Sequence, residues 1–238
     1  MVQLSVNLNK VALVRNSRGH NVPHLAQVAK DCVRFGADGI TLHPRPDERH
    51  ARRQDIYDLA PILDVEFNVE GYPSESFLQM IEEVKPAQCT LVPDPPGVLT
   101  SNAGWDTIQH KHFLLDIILR LQAAGVRTSI FIETDLDQIG MAKEIGTDRI
   151  ELYTEAYASR YPLDRQAAIA PFARAAAYAH EIGLEVNAGH DLSQENLAWF
   201  AQHLPMLKEV SIGHALISEA LYLGLEETIR RYQRALGK

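Results

Sequence analysis

Hydrophobic positions along the chain fall into two alternating patterns. Short β-rich runs recur, and longer stretches with the three- and four-residue spacing of a one-sided helix separate them, which is the pattern of βα units around a parallel sheet. Eight such runs are present, at residues 4–9 (LSVNLN), 39–43 (GITLH), 65–70 (VEFNVE), 88–93 (QCTLVP), 127–133 (RTSIFIE), 149–154 (RIELYT), 184–190 (LEVNAGH) and 209–214 (EVSIGH). Eight strands with helices between them predict an α/β fold, a closed (β/α)8 TIM barrel, because an open doubly wound sheet rarely takes so many strands in so short a chain. The helical stretches agree. Leu25, Val28, Ala29, Cys32 and Val33 lie at i, i+3, i+4, i+7 and i+8, one buried stripe on a helix over 25–35 that Gly36 ends. The joints FGADGI, AAGVRT, EIGTDR and EIGLEV put a glycine where a helix C-cap needs positive φ ahead of strands two, five, six and seven. Two connections are longer: 94–104 (DPPGVLTSNAG) after strand four, an irregular segment and a lid candidate, and 154–163 (TEAYASRYPL) after strand six.

Composition narrows the class further. The 238 residues suit one barrel domain spanning 1–238, and 46% hydrophobic with 23% charged residues is globular composition. The longest apolar run is a handful of residues, far below the ~20 that cross a bilayer. Met1 leads directly into the first strand run with no basic, long-apolar leader, so the chain reads as soluble and cytoplasmic, with no membrane partner. Lys and Arg number 23 against 31 Asp and Glu, a net charge of −8, and no basic run follows a phosphate backbone; nucleic acid is not expected as a partner. The two cysteines, Cys32 and Cys89, have no CxxC spacing and supply neither a disulfide framework nor a thiolate zinc site.

Catalysis in a (β/α)8 barrel takes place at the C-terminal ends of the strands, so the polar residues closing each run belong together. Asn7, Asn9 and Lys10 end strand one; His43 and Arg45 end strand two; Asn68 and Glu70 end strand three. Thr100 follows strand four, Glu133 ends strand five and Glu151 lies in strand six; Asn187 and His190 close strand seven, and Gly213 and His214 close strand eight. One strand-end histidine alone is more often a hydrogen-bonded structural residue. Several titratable groups at one mouth cost stability unless they satisfy one another, and such clusters are where tuned proton affinities do acid–base work. Gly213-His214-Ala215 passes from strand to helix and aims backbone N–H groups into the mouth, while Arg18, Arg45, Arg49 and His50 add donors, so two separated anion sites are expected. For Arg49 and Arg52, in DERHARR, an ordinary solvated position is at least as compatible. His43, Glu70, Glu151, His190 and His214 are metal-ligand types, but strand one offers Asn7-Leu8-Asn9 in place of a His-x-His pair and there is no HExxH, so neither metal nor cofactor is expected.

The segments VNLNKVALVRNSRG, ADGITLHPRPDERH, FNVEG, TLVPD followed by Thr100, RIELYT, VNAGH and SIGHALI, in that order over nearly the whole chain, resemble the motifs of the pyridoxine 5′-phosphate synthase family. The resemblance implies condensation of 1-deoxy-D-xylulose 5-phosphate with 3-amino-2-oxopropyl phosphate, giving pyridoxine 5′-phosphate, phosphate and water in vitamin B6 biosynthesis. It implies proton acceptors at His43 and Glu70, a proton donor at His190 and a transition-state stabiliser at Glu151. It further implies that Arg18, Arg45, His50 and Thr100 bind deoxyxylulose phosphate, that Asn7, Asp191, Gly213 and His214 bind the amino-ketone phosphate, and that the chain forms a homo-oligomer, commonly an octamer. Two positions depart from the pattern. Asn9-Lys10 stands where many members carry Asp-His, which alters the contacts to deoxyxylulose hydroxyls, although Lys10 can still donate to a hydroxyl or phosphate. Asp191 stands where many members have glycine; its carboxylate would repel a phosphate, so its side chain is expected to turn outward and cap a helix starting near Ser193 while its backbone N–H keeps the ligand role. The competing readings are a metal-assisted sugar-phosphate isomerase or epimerase on the same barrel, and a phosphometabolite-binding barrel without turnover.

Overall fold

The computed structural model describes residues 1–94 and 103–238. Thr100 and most of the 94–104 lid candidate lie outside the described residues. The strands are β1 (Gln3–Asn7), β2 (Gly39–Leu42), β3 (Glu66–Gly71), β4 (Gln88–Leu91), β5 (Arg127–Ile132), β6 (Arg149–Tyr153), β7 (Glu185–Gly189) and β8 (Leu207–Ile212). They pair in chain order, all parallel, and β8 returns to β1, which closes the (β/α)8 barrel that the strand runs predict.

Strand alternation assigns each residue a side. Leu4 and Val6, Ile40 and Leu42, Phe67 and Val69, Cys89 and Leu91, Ile130 and Ile132, Ile150 and Leu152, Val186 and Ala188, and Val210 and Ile212 are all buried and join one apolar core with the surrounding helices. The residues between them face the lumen, and most are polar. Ser5, Thr41, Asn68 and Thr90 are linked across four strands, by contacts of 2.7 Å from Ser5 to Thr41, 3.5 Å from Asn68 to Thr41 and 3.0 Å from Thr90 to Asn68. Beneath them Arg149 binds Glu185 at 2.8 Å, Glu66 at 3.3 Å and Glu209 at 3.4 Å, while Arg127 pairs with Glu66, so a charged layer seals the N-terminal end. Most parallel barrels fill this space with branched apolar side chains. Here the fold is held chiefly from outside the ring, by the seam between strands and helices.

The helix Leu25–Arg34 buries Leu25, Ala29 and Cys32, as its spacing predicts. Gly36, Gly125, Gly146 and Gly183 follow their helices with φ of 111°, 84°, 89° and 78°, the left-handed region in which a Cβ is strained. Two boundaries differ from expectation. Asn9 opens the helix Asn9–Asn16 instead of ending β1, because its N–H bonds to the Asn7 side chain at 3.0 Å and the chain turns at once. The 154–163 connection contains a short helix, Glu155–Arg160, whose Tyr157 is fully buried and donates its hydroxyl to the Asn196 carbonyl at 2.7 Å. Among the described residues no helix is long and apolar enough to cross a membrane.

Candidate active site

The C-terminal ends of the strands enclose a cavity of about 520 Å³. Asn7, Asn9, Lys10, His43, Arg45, His50, Glu70, Glu151, His190, Asp191, Gly213 and His214 all line it. Twelve of the fourteen positions tied to the family resemblance therefore meet around one space, whereas Asn68, Glu133 and Asn187 do not line it. Arg18 is exposed and does not line the cavity, and Thr100 falls outside the described residues. Arg49 also lines the cavity, with its guanidinium 3.0 Å from the exposed carboxylate of Asp47. Val92, Phe131 and Ser211 also line the cavity. Each lies one alternate position above an inward polar residue of its strand, a signal available from the period of two once the register is known.

The first strand end is a tight hydrogen-bonded knot. Asn9 accepts from the His43 backbone N–H at 2.9 Å, and Asn7 accepts from the Asn9 N–H while its own amide reaches Glu70 at 3.5 Å. This knot sets the His43 ring beside Glu70, with Nδ1 to Oε2 at 3.8 Å, longer than a hydrogen bond. Burial and the neighbouring Arg45, His50 and Arg49 push the His43 proton affinity well below the usual histidine range, so the ring is neutral at pH 7. His50 moves the same way, down to about 4, through burial and the charges of Arg45, Arg49 and Lys10. Glu70 moves in the opposite sense. Burial pushes it up to about 7, against the opposing charges of His190 and Arg45, which places its titration in the physiological range. Glu151 is pushed well above its ordinary value by burial and then by the charges of Glu70 and Glu209, which favours its protonated form. Its room depends on glycine in β7: a Cβ on Gly189 would stand 2.4 Å from Glu151 Oε1.

The 43–52 segment that brings in the cations is fixed from behind. Arg15, buried, pairs with Asp55 at 2.5 Å and donates to the His50 carbonyl at 3.2 Å, and the Asn16 amide reaches the carbonyls of Glu48, Arg49 and His50. Arg45 bonds the buried carboxylate of Asp94 at 2.8 Å. On the other flank of β1 Gly213 precedes the helix His214–Leu223, and its missing Cβ lets Asn7 approach to 3.1 Å of where that atom would be. Cationic side chains after β2 and a helix N-terminus after β8 thus flank the end of β1 at the cavity mouth.

Asp191 departs from its expected orientation. Its carboxylate turns to His190, with Oδ2 2.7 Å from Nδ1, and its backbone N–H donates to Thr154 Oγ1 at 3.1 Å. The Ser193 turn is capped instead by Asn196, whose side chain accepts from the Ser193 N–H at 2.9 Å. The next helix begins only at Leu197.

A closed parallel barrel whose mouth gathers carboxylates, histidines and cationic side chains around one cavity has the architecture of an enzyme. Among the described residues no group of three histidine, cysteine or acidic side chains is arranged to hold a metal ion. The chain belongs to the family described as pyridoxal phosphate biosynthesis protein PdxJ, whose profile matches residues 4–238. Curated relatives named pyridoxine 5′-phosphate synthase include those of Porphyromonas gingivalis, 60% identical over 99% of both chains, and Bacteroides fragilis, 57% identical over 99% of this chain and 100% of that one. Two solved structures at under 15% identity share the fold. Monomers of the dimeric phosphoribosylanthranilate isomerase of Thermotoga maritima superpose with a TM-score of 0.62 at 12% identity, covering 100% of this chain and 99% of that one. A tryptophan synthase chain of M. tuberculosis gives 0.66 at 14% identity, covering 99% of this chain and 92% of that one.

Proposed function

We propose that this mouth condenses 1-deoxy-D-xylulose 5-phosphate with 3-amino-2-oxopropyl phosphate to give pyridoxine 5′-phosphate, phosphate and water. The observation that carries the reading is the gathering of groups around one cavity: His43 3.8 Å from Glu70, whose carboxyl burial pushes up to about 7, with His190 in the same wall. Imine formation, dehydration, phosphate loss and ring closure are successive proton transfers at carbon, nitrogen and oxygen, which call for more than one acid and base. Glu70 and His43 take protons. His190 gives one to a departing oxygen. Glu151, protonated in a dry recess, donates a hydrogen bond to the oxygen on which negative charge builds. Lys10, Arg45, Arg49 and His50 attract the deoxyxylulose phosphate, and Asn7 with the backbone of Gly213 and His214 receives the second phosphate. Arg18 and Thr100 keep the deoxyxylulose-phosphate role that the resemblance implies for them.

Purified enzyme incubated with both substrates tests the reading. A pyridine chromophore is expected, absent when either substrate is omitted and indifferent to chelator. Turnover of a single sugar phosphate that chelator abolishes would establish an isomerase instead, and tight phosphate-ligand binding without product would establish a binding protein. The homo-oligomer, an octamer by resemblance, is part of the same proposal. Leu221 and Tyr222, 81% and 91% exposed at the end of the helix His214–Leu223, are the apolar side chains that association would cover. Light scattering on the wild type and on Tyr222→Glu reads the mass directly.

A further inference from the structure

We propose that Asp191 is a positioning residue for proton transfer: its carboxylate keeps a proton on Nδ1 of His190, so that Nε2 is the nitrogen that trades a proton with the bound substrate. The inference rests on the donor role proposed for His190 and extends it to a neighbour whose side chain has no assigned part in that scheme.

Two independent observations carry it. The first is the contact itself. Oδ2 of Asp191 lies 2.7 Å from Nδ1 of His190, an ordinary charge-assisted hydrogen-bond length. An ionised carboxylate can only accept, so the hydrogen between these atoms belongs to the ring, and the neutral imidazole is fixed as the Nδ1–H tautomer. The second is the backbone. His190 holds φ at +90°, a left-handed conformation that a residue with a Cβ adopts at a cost of about 1–3 kcal/mol and keeps only where its surroundings enforce it.

The enforcing contacts surround the Asp191 peptide. Its N–H donates to Thr154 Oγ1, and that hydroxyl in turn donates to the Gly189 carbonyl at 2.6 Å. Its carbonyl accepts from the Asn196 amide at 3.3 Å, and the His190 N–H reaches the Ser211 carbonyl at 3.4 Å. The Tyr153 ring meets the imidazole edge to face at 5.3 Å between centroids. The chain is thus bent at His190 and clamped on either side, and the bend swings the Asp191 side chain back onto the ring it follows.

The proton count closes. The imidazolium carries hydrogens on both nitrogens; Nε2 releases its own to the leaving oxygen, and the ring remains as the neutral Nδ1–H form still bonded to Asp191. Water or the next substrate returns the proton to Nε2. Without the carboxylate the neutral ring divides between two tautomers, and one of them holds its hydrogen on the wrong side.

The test uses full-length Asp191→Asn and Asp191→Gly beside His190→Asn, with solid-state 15N spectra of histidine-labelled protein taken where the ring is neutral. Loss of the His190→Asn signal assigns the resonance. The wild type is expected to show protonated Nδ1, and both Asp191 variants a mixture of tautomers, with kcat lowered about tenfold or more and KM within about twofold, since orientation of the donor and not substrate affinity is lost. A wild-type ring carrying its hydrogen on Nε2 overturns the inference, as do Asp191 variants with wild-type kcat beside a slow His190→Asn enzyme. Wild-type rates in all three variants overturn instead the role of His190 on which it depends.

Discussion

At the scale of single residues, the mouth works by setting two carboxylates and two imidazoles to different proton affinities within one cavity. Burial pushes Glu70 up to about 7 and raises Glu151 as well, whereas it lowers His43 and His50 towards the neutral ring. A base must be ionised to act, so kcat/KM is expected to fall about tenfold per pH unit as the pH drops below about 7, a limb that a pH–rate profile measures and that Glu70→Gln should abolish. The same substitution should lower kcat by ~10²-fold or more, the scale of one lost acid–base catalyst, with ligand affinity retained in calorimetry. Wild-type turnover in Glu70→Gln would remove this carboxyl from the chemistry.

At the scale of elements, the site depends on pieces that never touch it. The helix Asn9–Asn16 carries Arg15 and Asn16, and these grip Asp55 and the carbonyls of 48–50, so the cationic segment is clamped between two helices. Asp55→Ala leaves the Arg15 guanidinium buried without its carboxylate and is expected to cost about 3–5 kcal/mol in denaturant unfolding, with KM for the phosphorylated substrate raised as Arg45 and His50 lose their support. The strands and their polar ends were legible because side-chain alternation and terminal His, Glu and Asn residues are local signals; Glu70, His190 and His214 needed only the barrel to become neighbours. Other features were not local. That Asn9 starts a helix is decided by the Asn7 side chain capturing its N–H, and that Asp191 turns inward is decided by the left-handed bend at His190, which no propensity of histidine announces. Arg18 reads as an anion ligand from its glycine-flanked loop, and in the unliganded fold it is exposed outside the cavity wall.

At the scale of the molecule, the lumen couples chemistry to stability. Glu70, Glu151 and Glu209, the last raised to about 8 by burial and by Glu66, bind protons in the fold above the value of 4.5 that suits a solvated glutamate. Between those values the native chain holds more protons than the unfolded one, so stability falls as pH rises. His43 and His50 act oppositely, because below 6.5 the unfolded chain takes protons the fold refuses and stability falls as pH drops. The trends oppose each other between 4.5 and 6.5, and above 6.5 only the carboxylates remain. The Tm of the unliganded protein should therefore decline from pH 6.5 towards 8, and Glu209→Gln should flatten that decline; a Tm that climbs over this interval contradicts the account. The division of each strand into an outer apolar and an inner polar row has a lineage-level consequence. Descendants can exchange lumen residues and so acquire new reactions while inheriting the greasy outer wall intact, which makes the ring a chassis whose inside and outside drift separately.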